Sequence, residues 1–189
     1  MQQVQQVPAG FDAENADNFE DIEKQFAVKA VQHMETYWAI LERVRGSTLR
    51  LTKLDDDILE HLQKDFPEFD PAARIDEDEM KSKTGKERWR NFMMAYEKKV
   101  DDYNFGTMMR IAPNVEYGRD ESDAIDTNMA WWDKDCARSD DSHADDERTT
   151  MLTKTVPRMQ FYAVEIARNR KGLNDWIYEK AQAEKAAKK

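Results

Sequence analysis

The side chains of this sequence with the widest chemical reach are three imidazoles, one thiol and several carboxylate clusters. His33, His61 and His143 stand far apart, and a metal or acid–base site needs them folded together with carboxylates. His33 falls mid-face on an apolar helical pattern between Ala30 and Tyr37, where a hydrogen-bonded core histidine is the expected role. Cys136 is alone, so it makes neither an internal disulfide nor a Cys-based zinc cluster. Asp140, Asp141, Asp145 and Asp146 lack the Gly and terminal Glu of a calcium loop and read as a solvated charge run. Asp55, Asp56 and Asp57 suit a helix N-terminus, where acids meet the positive end of the dipole. Six glycines scattered singly build no phosphate loop, dinucleotide turn or Gly-x-Ser-x-Gly elbow. The expectation is a binder and not an enzyme, with no catalytic residue, metal or cofactor.

A binding surface has one strong candidate, between Pro157 and Gly172. Met159, Tyr162, Ala163, Ile166, Leu173 and Ile177 form a core face at helical spacing. Phe161, Val164, Arg168 and Lys171 make a second stripe on the opposite side, where a surface helix has no need of apolar residues. Two readings fit. Either the helix is central and packed on both sides, or the stripe is a contact surface with an aromatic anchor ringed by cations. On the second reading Phe161, Arg168 and Lys171 bind a partner, helped by the turn of Tyr103, Asn104, Phe105 and Gly106. Arg158, Asn169 and Arg170 flank the same helix.

The elements that must position these residues are helical. Phe19, Ile22, Phe26, Ala30, Met34, Tyr37, Leu41 and Val44 recur every three or four residues, with Val31 and Trp38 widening the arc. Asp17 or Asn18 caps this first helix, and Gly46 ends it. Thr52 opens a second helix, with Asp55 three residues on in a capping-box-like arrangement; Ile58, Leu59, Leu62 and Phe66 face inward and Pro67 stops it. Residues 71–84 are polar, with a turn of helix around Glu77. A third helix runs from Lys86, with Trp89, Phe92, Met93, Tyr96, Val100 and Tyr103 on one face, to Gly106. A last helix carries Pro157 in its first turn and continues through Gly172 to an Ala/Lys/Glu tail that frays after Glu179. The predicted fold is an all-α orthogonal bundle of four to five main helices, with at most a minor extended pair near residues 49–51 and 107–111. Residues 1–17 are predicted as a flexible arm, 18–180 as one helical domain, and 181–189 as a frayed charged tail.

Residues 114–148 interrupt that domain. They hold twelve acids and four bases, so −8 of the formal net charge of −10 lies there, and the segment reads as an acidic insertion. Trp131 and Trp132 are its aromatic exception. The acidic balance speaks against nucleic-acid binding, which demands a basic surface. The longest apolar runs, 37–41 and 92–96, are far shorter than the ~20 residues of a membrane-spanning helix. The first ten residues lack the basic and apolar regions of a signal peptide. With one thiol, this favours a soluble cytoplasmic protein.

Four blocks make the sequence familiar: Leu51-Thr52-Lys53-Leu54-Asp55-Asp56, Lys86-Glu87-Arg88-Trp89-Arg90, Asp102-Tyr103-Asn104-Phe105-Gly106-Thr107, and the whole of residues 157–172. Over about residues 18–112 and 155–180 the chain resembles the polysaccharide biosynthesis domain-containing protein family; the acidic insertion is longer than the family's usual connection. The resemblance implies a small helical cytosolic chaperone dedicated to newly made translation elongation factor 1-alpha. It would act as a monomer, hold the factor's GTPase domain while that domain folds, and release it when nucleotide binds. The alternatives are a sugar-modifying transferase of polysaccharide biosynthesis, as the family name suggests, and a structural subunit of a larger assembly.

Overall fold

The computed structural model describes residues 17–117 and 155–188. Most of the expected arm, most of the acidic insertion, Cys136, His143, Trp131 and Trp132 lie outside the described residues. The chain is mostly helical, with six α-helices and one two-stranded sheet among the described residues.

The first helix, α1 (Asp17–Leu41), buries Ala30, Tyr37 and Leu41 on one side, as its periodicity requires. Val44, expected on the same face, is exposed because the helix stops at Leu41 and the chain turns away. Gly46 opens a short 3-10 turn instead of closing the helix. Its lack of a side chain serves packing: a Cβ there would stand 2.6 Å from Asn169 Oδ1 and 2.9 Å from Asn174 Cβ.

Helix α2 (Asp55–Asp65) starts three residues later than expected. The reason is the Asp55 carboxylate, which is buried and reaches back to accept from the Leu51 N–H (2.9 Å), the Thr52 N–H (2.6 Å) and the Thr52 hydroxyl (2.8 Å). The Thr52 hydroxyl in turn accepts from the Leu54 N–H at 3.0 Å. Two backbone donors of the 49–52 stretch are thereby taken, and those residues form no strand. Asp55→Ala should cost ~2 kcal/mol, the upper end for a helix cap, because two half-buried N–H groups lose the buried carboxylate that accepts from them. That is a fall of roughly 4–8 °C in a thermal melt; an unchanged midpoint would show that the turn holds without the carboxylate.

Helices α3 (Glu77–Lys81) and α4 (Lys83–Met94) follow. Each has a side-chain cap: Asp76 accepts from the Asp78 and Glu79 N–H groups, and Ser82 Oγ accepts from the Gly85 N–H. Trp89, Phe92, Met93 and Tyr96 are buried as the pattern predicts. Phe66 stacks on Trp89 with centroids 4.3 Å apart, and His61 stacks on Phe92 at 4.5 Å. The expected run of helix to Gly106 ends at Met94, and turns carry the chain onward. Asp102 takes φ 54°, which bends the backbone so that the Tyr103 and Phe105 carbonyls accept from Met159 and Arg158, both at 2.9 Å.

Strand β1 (Gly106–Met108) pairs antiparallel with β2 (Thr155–Pro157), in the register Gly106↔Pro157, Thr107↔Val156 and Met108↔Thr155. The extended pair exists, but the partner of 106–108 is 155–157 and not 49–51. Helix α5 (Arg158–Arg170) begins directly after β2, and α6 (Asp175–Ala187) follows it. The single last helix expected from the pattern is two because Gly172 adopts φ 68°. The Leu173 N–H donates to the Arg168 carbonyl and the Gly172 N–H to the Asn169 carbonyl, a Schellman termination. The Ala/Lys/Glu tail expected to fray is helical through Ala187, in keeping with its strong helix formers.

Candidate partner-binding site

Helix α5 is the centre of the domain. Ten of its 13 residues are buried, so Phe161, Val164 and Arg168 of the apolar–cationic stripe lie inside, and Lys171 at its end is exposed. Phe161 is 1% exposed, Val164 and Arg168 0%, and Asn169 2%. Phe161 packs edge-on to His33 and Tyr37, each at 5.1 Å. These residues cannot touch a partner directly in this fold.

Arg168 tolerates burial because a carboxylate and three carbonyls meet it. Its Nη1 donates to Glu165 Oε1 at 2.8 Å and to the Arg110 carbonyl at 2.9 Å. Its Nη2 reaches the Ile111 carbonyl at 3.3 Å, and its Nε the Pro71 carbonyl at 3.4 Å. The other Glu165 oxygen accepts from Arg110 Nη2 (3.0 Å), the Tyr37 hydroxyl (2.9 Å) and Asn174 Nδ2 (2.9 Å). Asn174 also donates to Asn169 Oδ1 at 2.7 Å, and Asn169 donates to the Tyr37 hydroxyl at 3.3 Å. A glutamate between two arginines, closed by two asparagines and a tyrosine, thus ties α1, the 110–113 segment, α5 and the start of α6 together. Burial alone would raise the Glu165 pKa, but Arg110 and Arg168 overcome it and hold the carboxyl down at about 2. The Tyr37 hydroxyl is pushed far above its usual range by burial and by the Glu165 charge.

The sequence reading missed Arg110, Glu165 and Asn174. A signal was present: Glu165 stands between Val164 and Ile166, and Arg110 between Met109 and Ile111, charges set inside apolar runs. His33 is hydrogen-bonded as expected, at the edge of the core and not within it. It is half-buried, 3.2 Å from Thr107 Oγ1, and burial with the nearby Arg158 charge lowers its pKa to about 4. It is neutral at pH 7.

The remaining expected residues gather at the two ends of α5. At the N-terminal end, Arg158 lies 5.1 Å over the Phe105 ring and 3.6 Å from Asp102, while Phe105 packs on Phe26 at 4.8 Å. Tyr103 and Phe105 are half-buried, Asn104 is exposed and Gly106 is buried in the strand. At the C-terminal end, Arg170 pairs with Asp56, and Lys171 with Asp70 at 3.3 Å. Beside Asp70 the surface opens into a groove of about 190 Å³ between the 66–76 loop and helices α3 and α4. Phe66, Phe69, Ile75, Met80 and Trp89 line it. Arg168 bonds the same 66–76 loop at the Pro71 carbonyl and also reaches the Ile111 carbonyl, which accepts from the Ile75 N–H at 2.9 Å. The groove joins residues scattered between 66 and 89, which no periodic pattern links.

Residues 114–117, read as the start of the insertion, pack on the domain. Arg110 Nη1 donates to the Pro113 carbonyl at 2.9 Å, and Tyr117 packs edge-on to Trp38 at 5.8 Å. Among the described residues no group of His, Cys, Asp or Glu is arranged to hold a metal, and no helix is long and apolar enough to cross a membrane.

A solution NMR structure of a Saccharomyces cerevisiae protein, 46% identical, matches this fold with a TM-score of 0.62 over 89% of this chain and 97% of that one. A Protein PBDC1 homolog of Schizosaccharomyces pombe is 51% identical over 169 residues, covering 88% of this chain and 94% of the relative. Human Protein PBDC1 is 33% identical over 176 residues, 93% of this chain and 62% of its own length. None of these names carries an enzyme activity. A family model described as PBDC1 protein matches residues 22–149 and 136–179, spans that include α5 and both arginines of its buried network. The chain belongs to the PBDC1 family.

Proposed function

We propose that this protein is a dedicated folding chaperone that binds the GTPase domain of newly synthesised translation elongation factor 1-alpha and releases it once nucleotide is bound. The observation that carries the reading is the block 157–172. It is the stretch in which the chain most specifically resembles the polysaccharide biosynthesis domain-containing proteins, and in the fold it is the buried centre on which the exposed surfaces are mounted. The contacts with the factor then come from the ends of α5, namely Arg158 with Tyr103, Asn104 and Phe105, and Arg170 with Lys171. Phe161, Arg168, Asn169 and Gly106 act from beneath by holding those ends in place. The corollaries are a cytoplasmic, monomeric protein that needs no cofactor.

Release follows from a population shift. A GTPase domain that folds around its nucleotide loses the incompletely folded surface the chaperone holds, so nucleotide and chaperone select different states. The immobilised chain is expected to capture nucleotide-free elongation factor 1-alpha and to lose it on addition of GTP. Capture unaffected by GTP rules out the release mechanism, and no capture at all rules out the partner.

A further inference from the structure

The groove beside Asp70 is a built feature of the molecule. Its floor is aromatic and rigid: Phe66 and Trp89 stack at 4.3 Å, and the Arg88 guanidinium lies 4.4 Å over the outer face of Phe66. Arg88 is itself fixed by an ion pair with Glu68 at 2.5 Å. A volume of about 190 Å³ suits one large apolar side chain. The groove continues into a shallower hollow of about 520 Å³ bounded by Arg74, Ile75, Asp76, Asp78 and Ile111, and the two share Arg74, Ile75 and Asp76. The combined shape fits a short stretch of chain better than a compact small molecule.

Charge selects among such stretches. Five carboxylates surround the two hollows, from Glu68, Asp70, Asp76, Asp78 and Glu79, against the guanidiniums of Arg74 and Arg88. Glu68 is engaged by Arg88 and Asp70 by Lys171, which leaves the acidic excess on the side of α3. An apolar floor with an acidic border is complementary to an apolar side chain accompanied by lysine or arginine.

We infer that this groove is the docking site for a protein segment that presents one large apolar side chain next to basic residues. Arg168 is a positioning residue for it, since it bonds the Pro71 carbonyl of the 66–76 loop and the carbonyl of Ile111, which bounds the shallower hollow. The inference rests on the reading of this chain as a protein-binding chaperone, and not on the identity of the partner.

The test has two arms. In the first, the full chain is labelled with 15N and titrated with a decapeptide holding Leu-Phe between lysines, then with its glutamate-flanked counterpart. The lysine peptide shifts the indole resonance of Trp89 and the glutamate peptide does not; if both or neither move it, the inference falls. In the second arm, Ala73→Trp fills the groove from an exposed position, and Asp70→Lys with Glu79→Lys reverses its border. Each is expected to retain the wild-type melting temperature and to lower capture of nucleotide-free elongation factor 1-alpha at least tenfold, the loss expected on blocking an anchor pocket. Wild-type capture of the factor with undiminished capture by both variants overturns the groove and leaves the chaperone reading standing. Docking of the lysine peptide on a wild-type chain that captures no factor does the reverse.

Discussion

Glu165→Gln should lower the unfolding free energy by roughly 3–5 kcal/mol, the cost of removing one partner from a buried ion pair and leaving the other charge uncompensated. Here two guanidiniums, Arg110 and Arg168, lose their shared counter-charge at positions with no exposed side-chain surface. Urea titration at pH 7 checks it through the midpoint at constant slope. The wild type adds a signature in pH. The Glu165 pKa falls from an ordinary 4.5 to about 2 on folding, so its stabilising contribution is fully present above 4.5. It is lost as pH falls through that window toward 2, where the folded carboxyl takes up a proton. The stability curves of wild type and variant should therefore converge between pH 4.5 and 2. Parallel curves would mean that another group governs the acid limb.

Phe161→Ala should cost about 3–5 kcal/mol, the range for truncating a fully buried aromatic side chain. The ring packs against His33, Tyr37 and Tyr162, and its removal leaves a cavity among them. In a thermal scan this is a drop of roughly 6–20 °C for a chain of this size. A melt within 2 °C of wild type, joined to lost partner capture, would restore the surface role that the sequence pattern suggested. The contrast with Lys171 is sharp. Lys171 is exposed and pairs with the exposed Asp70 at 3.3 Å, so its removal changes stability by less than about 1 kcal/mol.

The all-helical class and the inner faces of α2 and α4 were legible because Ile58, Leu62, Trp89, Phe92 and Met93 repeat with the period of a helix that is wet on one side. Helix α5 was harder for the same reason. A helix packed all round has no polar face to fix its orientation, so Phe161 and Arg168 fit a surface or a core equally well. What decides between them is Arg110, 58 residues from Arg168, together with the Pro71 and Ile111 carbonyls. No local pattern encodes a partnership at that distance. The pairing of 106–108 with 155–157 escaped for a similar reason, since two three-residue strands carry too few alternations to announce themselves. Gly172 was read as part of a continuous last helix, and its left-handed backbone is what makes it a helix boundary.

The central position of α5 has a consequence for biosynthesis. Synthesis runs from the N-terminus, so Tyr37, Arg110 and the 66–76 loop emerge from the ribosome well before the helix against which they pack. Until residues 165 and then 174 are outside, Arg110 lacks first both and then one of Glu165 and Asn174, and a bare guanidinium favours water over the apolar surroundings it later occupies. The N-terminal helices therefore lack the α5 side of their core until that helix has been made. Pairing of 155–157 with 106–108 closes a long loop and sets α5 directly behind it. Truncated chains that stop short of α5 should accumulate as open, protease-sensitive species.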